Sequence, residues 1–376
     1  MRGIFRKLRA KKFLYKRLVE ITVSRKAILH NLRAFRKQYG LAVAPVLKSN
    51  AYGHGLTEVA RILEGQDVPF LCVDSFFEAL VLRNERITAP ILIIGYTPLE
   101  NIRQNTLKNV AFAILSFEEL SRLASSGVRA VIHLKIDTGM HRHGIASEEL
   151  DRALGVVAEN MQIRLEGMYS HIADADTKNS PHATHQVKRW NVAVLAVKKA
   201  FPGIRYLHFL QTSGSFYADK AEGNVMRLGI GLYGISSGFG NPKLRPALSM
   251  RARITSLRTV EAGSRVGYNA TFTAKRKMRI ASIPVGYNEG VDRRLSNKGV
   301  LSVRDVPCPV VGRVSMNITS IDVSAVPEAK LDDEVLVISD NPKAPNSIAN
   351  MAETCGTISY ELLVHLPQIL RRTVGE

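Results

Sequence analysis

Residues 41–48 read LAVAPVLK, seven mainly apolar residues that end at a lysine. A short apolar run bounded by polar residues is typical of a buried strand. Partial burial at the end of a strand disfavours the charged form of an amine and lowers its pKa, so Lys48 could attack a carbonyl and form a Schiff base. On position alone, a lysine that merely extends from the strand end into solvent is the commoner case.

The same kind of apolar run recurs along the first two thirds of the chain. Predicted strands cover 41–47, 69–74, 90–95, 110–115, 130–136, 163–170, 205–211 and 225–230. Predicted helices cover 25–38, 56–65, 75–86, 98–107, 117–126, 147–160 and 184–200, several of them opened by a capping serine such as Ser75, Ser116 or Ser147. Apolar strands separated by helices indicate a parallel sheet, and eight such units predict a (β/α)8 barrel. A doubly wound open sheet is the alternative, although it usually has fewer strands.

Beyond about residue 240 the pattern changes to alternating residues with Gly and Pro turns, as in 249–254 and 278–283. We therefore predict an α/β chain with an N-terminal (β/α)8 TIM-like barrel and a C-terminal mainly-β domain. The predicted bounds are 1–19 for a basic N-terminal extension, 20–240 for the barrel and 241–376 for the β-rich domain. A chain of 376 residues also exceeds what one hydrophobic core usually supports.

Charge is concentrated at the start of the chain. The formal net charge is +19, and the first twenty residues hold eight Lys or Arg against one Glu. A solvated extension is the preferred interpretation, and contact of this tail with a membrane surface stays open. No nucleic-acid partner is expected, because no zinc motif or aromatic RNA-binding motif is present.

Three cysteines far apart, Cys72, Cys308 and Cys355, show neither a disulfide framework nor the spacing of a metal site. They are expected to be core thiols, and no metal is expected. No apolar run reaches the ~18–20 residues that span a bilayer, and the N-terminus has no secretory signal pattern. A cytoplasmic location is therefore the expectation.

Polar residues fall at one end of the predicted barrel. Lys48, Lys135, His171, Thr212 and Arg227 all lie at or just past the C-terminal ends of predicted strands. Barrel enzymes place their chemistry at this end, and phosphate sites often follow the seventh and eighth strands. The sequence therefore predicts an active site at this mouth.

Seven motifs in order carry a family resemblance. They are VLKSNAYGHG (46–55), KIDTGMHRHG (135–144), RLGIGLYG (227–234), RVGYNATF (265–272), IPVGYNEG (283–290), GRVSMN (312–317) and TISYE (357–361). Together they resemble the pyridoxal-phosphate-dependent alanine racemases over roughly residues 20–372.

This resemblance implies a pyridoxal 5'-phosphate cofactor bound by Lys48. The other cofactor-binding residues it implies are Tyr52, His171, Thr212, Arg227, Gly229, Ile230 and Tyr360. Arg227 would face the pyridine nitrogen, and a guanidinium keeps its protons, so the ring stays a weaker electron sink. That property favours racemisation over transamination. His171 would orient Arg227, and a satisfied buried histidine is the competing interpretation.

The resemblance also assigns the residues that handle the substrate. Lys48 and Tyr268 would be the two catalytic bases, and Arg142, Met316 and Tyr287 would bind or admit the substrate. Lys135 would be carbamylated and would then brace Arg142. Two positions depart from the family pattern: His141 stands where glycine is common, and Asn317 stands where aspartate is usual.

The expected function is alanine racemase activity, an isomerase reaction that interconverts L-alanine and D-alanine and supplies D-alanine for peptidoglycan. The resemblance implies a head-to-tail homodimer with shared active sites. A racemase for serine, lysine or several amino acids is the alternative, because Asn317 could loosen specificity. A decarboxylase would be expected to place a carboxylate at the pyridine nitrogen. A non-enzymatic carrier of the cofactor would usually lack the second domain.

Overall fold

The computed structural model describes residues 16–376, and a closed barrel of eight parallel strands forms its first part. Most of the predicted basic extension, and with it the question of membrane contact, lies outside the described residues. After an initial strand β1 (Val19–Ser24), the barrel strands are β2 (Ala42–Pro45), β3 (Leu71–Val73), β4 (Ile91–Ile93), β5 (Val110–Ile114), β6 (Ala130–Asp137), β8 (Ile163–Tyr169), β9 (Tyr206–His208) and β10 (Val225–Leu228). A two-residue strand β7 (Ile145–Ala146) pairs with the end of β6. All eight predicted strands are present.

Backbone hydrogen bonds close the ring. Strands β3, β4, β5, β6, β8 and β9 form one parallel sheet, and β10 pairs in parallel with β2. A parallel bridge from Val46 to Cys72 joins β2 to β3. On the other side, the N–H of Asn224 donates to the Leu207 carbonyl and the N–H of Arg227 donates to the Leu210 carbonyl, both at 3.0 Å. The open-sheet alternative is therefore wrong.

Helices lie between the strands as the sequence predicted. Their bounds are α1 (Arg25–Tyr39), α2 (Leu56–Leu63), α3 (Phe76–Asn84), α4 (Leu99–Arg103), α5 (Phe117–Ser125), α6 (Leu150–Ala158) and α7 (Pro181–Ala200). Ser75 and Ser116 cap α3 and α5 by accepting backbone N–H groups three residues on, at 3.2 and 3.1 Å. Ser147 instead begins a short 3-10 helix, so its predicted capping role was wrong.

The second part of the chain is mainly β. Its strands are β11 (Leu248–Arg253), β12 (Ser256–Val260), β13 (Arg265–Val266), β14 (Phe272–Thr273), β15 (Met278–Ile283), β16 (Val300–Val303), β17 (Val306–Pro309), β18 (Thr319–Asp322), β19 (Glu334–Ile338) and β20 (Arg372–Gly375). Two helices, α8 (Ile348–Cys355) and α9 (Ser359–Val364), precede the last strand. The main sheet has the order β17-β16-β19-β11-β1-β20.

Strand β1 was not predicted from the sequence. It pairs antiparallel with β11, where Ile21 faces Met250, and parallel with β20, where Val23 faces Val374. The first described strand is therefore hydrogen-bonded to strands that follow residue 240. The domain bounds 20–240 and 241–376 remain a prediction. The pairing shows that strand β1, at the start of the predicted barrel domain, belongs to a sheet formed mainly by the second part of the chain.

The interior is apolar, as the sequence composition implies. Phe35, Leu47 and Trp190 have no exposed side-chain surface, and the three cysteines are buried and unpaired, as predicted. Within residues 16–376, none of the helices combines the length and apolar character needed to cross a bilayer.

Candidate active site

Lys48 stands where β2 gives way to a left-handed helical turn. Its side chain is 38% exposed, and its Nζ lies 3.7 Å from Asp74 Oδ1. The backbone of Ser49, Asn50 and Ala51 has φ of 56°, 56° and 52°, a region that non-glycine residues seldom adopt. Such a conformation persists only when its surroundings impose it, and it is a frequent feature of functional sites.

Glu78 on α3 holds this turn. One carboxylate oxygen accepts the N–H of Ser49 at 2.7 Å, and the other accepts the N–H of Asp74 at 2.8 Å. The turn ends at Gly53, where φ is +79° and an added Cβ would collide with the carbonyl oxygen of Leu363. The buried Arg372 donates two hydrogen bonds to the Gly53 carbonyl, at 3.0 and 2.9 Å. The lysine segment is thus fixed by the barrel and by the end of the chain together.

Aromatic rings stand beside the turn. The Tyr52 ring centroid lies 5.1 Å from that of Tyr233 and 5.8 Å from that of Tyr360. Burial raises the pKa of the Tyr52 phenol, so it stays protonated and can donate a hydrogen bond. A Cβ at Gly229 would come within 2.9 Å of this phenol oxygen. The predicted residues Tyr52, Tyr360 and Gly229 are therefore brought together.

The ends of β9 and β10 form a small backbone surface. Thr212 Oγ1 accepts the N–H of Gly231 at 3.1 Å, next to the 3-10 helix Ile230–Tyr233. A Cβ at Gly231 would press on Thr212 and Phe35, at 2.8 and 2.9 Å. This position accepts only glycine because the backbone there packs tightly against its neighbours.

Arg227 is buried and held by carbonyls and imidazoles. Its Nη1 donates to His208 Nδ1 at 2.9 Å and also to the His208 carbonyl, while its Nη2 donates to the Ser170 carbonyl at 2.7 Å. His171 Nδ1 lies 3.3 Å from Nη2, and the guanidinium stands 5.0 Å from the Tyr169 ring centroid. Among residues 16–376 no carboxylate forms an ion pair with Arg227, and burial lowers its pKa.

The histidines around Arg227 are neutral. Burial, reinforced by the Arg227 charge, holds the pKa values of His171 and His208 well below the usual range. A guanidinium has only donors, so the imidazole nitrogen facing it must be an acceptor. The structure therefore places His171 against Arg227, as predicted, and adds His208 as a second and closer partner.

Lys135 is buried on β6. Burial, and then the Arg142 guanidinium, lowers the pKa of Lys135 to about 8. The loop that follows is organised by Asp137, whose Oδ1 accepts the N–H groups of Gly139, Met140 and His141 at 2.9 to 3.1 Å. His141, which replaces the usual glycine, adopts φ of 53° and places Nδ1 3.2 Å from Asp137 Oδ2. The side chain thus adds a contact in a loop that still takes the left-handed conformation.

The remaining predicted residues form a separate cluster. Tyr268, Tyr287 and Met316 line a cavity of about 860 Å³, whose lining comes entirely from residues 268–365. Tyr268 is 70% exposed. The cavity contains none of the barrel residues named above, so within one chain the predicted site is in two parts.

Asn317 borders this cluster through a buried carboxylate. Its Nδ2 donates to Glu289 Oε1 at 2.8 Å, and Asn288 Nδ2 donates to the same oxygen at 2.9 Å. The other oxygen of Glu289 accepts the N–H of Gly286 at 2.8 Å. The amide of Asn317 therefore pairs with a protein carboxylate.

Several residues that make these contacts were not predicted from the sequence. Asp74, Glu78 and His208 carry no motif of their own, and the groups that connect them to the site lie 19 to 29 residues away: Lys48, the N–H of Ser49 and Arg227, respectively. Strand alternation partly indicates one further residue: His133, whose Nδ1 lies 2.8 Å from His208 Nε2, is two residues before Lys135 and therefore points to the same side of β6.

Comparisons with known proteins agree on one family. The family model described as alanine racemase, N-terminal domain, matches residues 23–237, and the one for the C-terminal domain matches residues 247–374. Alanine racemases of Syntrophobacter fumaroxidans and Sorangium cellulosum are 37% and 36% identical to this chain, covering 92% of it and 93% and 96% of their own lengths.

Solved structures give the same answer. Alanine racemase from Bacillus anthracis, crystallised with bound L-Ala-P, matches at a TM-score of 0.87 and 28% identity, covering 96% of each chain. The enzyme from Streptomyces lavendulae matches at 0.87 and 25% identity, covering 96% of this chain and 98% of its own.

A barrel with a lysine after its first strand, joined to a mainly-β domain, defines the class of barrel-type amino-acid racemases, which are isomerases. The chain belongs to the alanine racemase family.

Proposed function

We propose that this chain interconverts L-alanine and D-alanine with pyridoxal 5'-phosphate bound at the barrel mouth. The observation that carries the proposal is Arg227, a buried cation beside neutral imidazoles at the same mouth as Lys48. Family membership over both domains supports the same reaction. The role in supplying D-alanine for peptidoglycan rests on the family alone.

The residues at the mouth fit this cofactor. At Gly229 and Gly231 the absence of a Cβ lets the backbone pack directly against Tyr52 and Thr212, which brings the Tyr52 phenol and the Thr212 hydroxyl beside the backbone proposed to hold the phosphate. The Tyr52 phenol, kept protonated by its raised pKa, is a donor at this place. The Lys48 amine would hold the cofactor, and Tyr360 packs against Tyr52 from α9. The cofactor-binding set therefore comprises Lys48, Tyr52, His171, Thr212, Arg227, Gly229, Ile230 and Tyr360.

Bound pyridoxal phosphate supplies an electron-withdrawing ring that acidifies the Cα–H of an attached amino acid. Arg227 would offer a hydrogen-bond donor to the ring nitrogen and keep its own proton, which favours racemisation over transamination. His171 and His208 keep the guanidinium in place by accepting its N–H groups. An arginine, and not a carboxylate, at the position proposed to face the ring nitrogen disfavours the decarboxylase alternative.

Two bases work on opposite faces of Cα in the proposed mechanism. Lys48 would move the Cα proton of the D enantiomer, and Tyr268 would move that of the L enantiomer. One base removes the Cα proton and the other returns a proton from the opposite face, so the product is the mirror image. Tyr268 lies in the separate cluster, so we propose that it comes from the second chain of a head-to-tail homodimer.

Substrate contacts come from both parts of the site. Arg142 would pair with the substrate carboxylate, Met316 would bind it through its backbone, and Tyr287 would stand at the entry. Lys135 has a pKa of about 8, which makes a neutral amine accessible near neutral pH, as carbamylation requires. The resulting anion would face Arg142 and brace it.

The test uses single L-amino acids in D2O with cofactor-loaded protein. L-alanine should yield D-alanine that carries deuterium at Cα, and Lys48→Ala should remove both this activity and the visible absorbance of the bound cofactor. Lys37→Ala, a change at an exposed helical lysine, serves as the control and should retain both. Faster racemisation of L-serine or L-lysine than of L-alanine would favour the broader-specificity alternative. Deuterium exchange without inversion would contradict the two-base mechanism.

A further inference from the structure

A second cavity opens at the opposite end of the barrel. Its volume is about 530 Å³, and residues that directly precede strands line it, among them Phe70, Asn109, Arg129, Gln162 and Arg205. Barrel enzymes carry out their chemistry at the other end. No step of the proposed racemisation therefore uses this cavity.

The wall of this cavity is positively charged. Arg164 and Arg205 share one carboxylate, since Arg164 Nη2 and Arg205 Nη1 lie 3.4 and 3.8 Å from Glu166 Oε1. Arg129 Nε donates to the neutral Gln162 amide oxygen at 2.7 Å. Three guanidiniums (+3) and one carboxylate (−1) leave a formal charge of +2 on the wall. A concave surface with positive charge concentrates anions.

A buried donor faces the same cavity. His133 is fully buried, lines the cavity, and its Nε2 has no hydrogen-bond partner among the described residues. The nearest carboxylate oxygen, Glu166 Oε2, is 3.6 Å away, beyond hydrogen-bond distance. The charge of Glu166 nevertheless acts on the His133 N–H at this distance.

His133 is joined to Arg227 by hydrogen bonds of fixed direction. Arg227 Nη1 can only donate, so His208 Nδ1 accepts and a neutral His208 carries its proton on Nε2. That proton is donated to His133 Nδ1 at 2.8 Å, which leaves the His133 proton on Nε2. Burial holds the pKa values of both histidines below the usual range, consistent with neutral rings. The chain of donors therefore runs from the active-site guanidinium to the cavity wall.

We propose that this cavity binds a phosphate-type oxyanion between Arg164 and Arg205, and that the histidine pair transmits its occupancy to Arg227. Arginines bind phosphate through paired N–H groups, and a dianion matches the surplus charge. The volume exceeds that of a free phosphate and suits a small phosphorylated molecule.

The effect on Arg227 would follow from competition between the bound anion and Glu166 for the same two arginines. When an anion pairs with Arg164 and Arg205, Glu166 loses its two cationic partners and its charge acts more strongly on the His133 N–H. Hydrogen bonds in a chain polarise one another, so His208 becomes a better acceptor for Arg227. This second half of the proposal rests on the proposed cofactor contact of Arg227, whereas binding itself does not.

Calorimetry on the cofactor-loaded full chain tests binding. Inorganic phosphate and glycerol 3-phosphate are titrated at constant ionic strength, with chloride as the balancing anion, and the cofactor already occupies its own phosphate site. A saturable isotherm is expected. Tighter binding of glycerol 3-phosphate would identify the ligand as a phosphorylated molecule. Equal or tighter binding of inorganic phosphate would identify it as free phosphate.

Three variants make the assignment specific. The double change Arg164→Gln with Arg205→Gln should weaken phosphate binding by about tenfold or more, since two cations are lost at exposed positions. Glu166→Gln should strengthen it, because the competing carboxylate is gone. Arg61→Gln removes an exposed arginine paired with Glu85 elsewhere and should change nothing. Absence of binding, or equal loss in Arg61→Gln and the double variant, overturns the site.

The absorbance of the bound cofactor, followed during the same titration, tests transmission. It should shift as phosphate saturates the parent protein, while His133→Asn should keep phosphate binding and lose the shift. Binding in the parent without any optical response overturns the coupling to Arg227 and leaves the racemase proposal untouched. If the parent protein binds phosphate but does not racemise alanine, that result contradicts the proposed function and leaves the phosphate site unaffected.

Discussion

Burial determines the protonation of Lys135. Its pKa is lowered from 10.5 to about 8, so between these pH values the unfolded chain holds a proton that the folded chain has lost. Folding stability therefore rises with pH across this window, because the unfolded state binds more protons. The cost of burying the charged amine is fully present below about pH 8.

We predict that the difference in free energy of unfolding between the parent and Lys135→Met depends on pH. The parent should gain stability relative to the variant as pH rises from about 8 to about 10.5. Denaturant titrations of both proteins in carbonate-free buffer measure this difference. Groups that titrate alike in the two proteins contribute equally to both free energies of unfolding and cancel. A difference that stays flat over this range would show that Lys135 titrates normally.

The exposed Asn317 donates its amide N–H to the buried carboxylate of Glu289. Asn317→Asp should cost about 1–3 kcal/mol, since a donor is lost and two carboxylates face each other. Adding Glu289→Gln should restore much of this loss, because a neutral amide can again pair with the new carboxylate. If the stability cost of the double variant equals the sum of the costs of the two single variants, the two side chains do not interact.

Residue types at strand ends could be predicted from the sequence, whereas their partners could not. Lys48, Lys135 and Arg227 follow apolar runs and are visible without a structure. His208 was missed because its role depends on contact with Arg227 across two strands, and nothing local marks it. The position of Tyr268 in a separate cluster likewise depends on three-dimensional packing.

The left-handed turn at Lys48–Tyr52 is the element that distinguishes this barrel mouth. It ends at Gly53, where both the positive φ and the Leu363 carbonyl exclude a side chain. Gly40 has a similar φ of +65°, and a Cβ added there would meet nothing within 4 Å, so it provides a matched control.

Gly40→Ala should cost about 1–2 kcal/mol of stability, the usual penalty for a left-handed residue with a Cβ. Gly53→Ala should cost more and should also weaken cofactor binding, because the turn that positions Lys48 must move. Urea unfolding and cofactor titration of both variants measure the two effects. Equal costs, with unchanged cofactor affinity in Gly53→Ala, would show that the turn accommodates a side chain.

At the level of elements, the barrel was predicted because its strands are local apolar runs separated by helices. All eight strands and seven helices appear where expected; most have shorter bounds than predicted, while α1, α7 and β6 are longer by one to three residues. The six residues of strand β1, VEITVS, do alternate β-branched apolar and polar residues, so the strand had a local signal that the prediction overlooked. Its pairing could not be predicted, because its partners, β11 and β20, lie about 230 and 350 residues further along.

The whole molecule presents the proposed site in two parts. Lys48 and Arg227 belong to the barrel mouth, while Tyr268, Tyr287 and Met316 line a cavity built from residues 268–365. In a two-fold dimer arranged head to tail, each barrel mouth would meet the other chain's second domain. Each active site then needs Lys48 from one chain and Tyr268 from the other.

The most direct test of this central claim is complementation between two inactive variants. Lys48→Ala and Tyr268→Phe proteins are mixed, allowed to exchange subunits, and assayed for racemisation of L-alanine. In each heterodimer one site has lost both bases and the other has kept both. Activity should return, up to about one quarter of the parent when exchange is complete and random. Proven subunit exchange with no recovered activity would contradict the shared site.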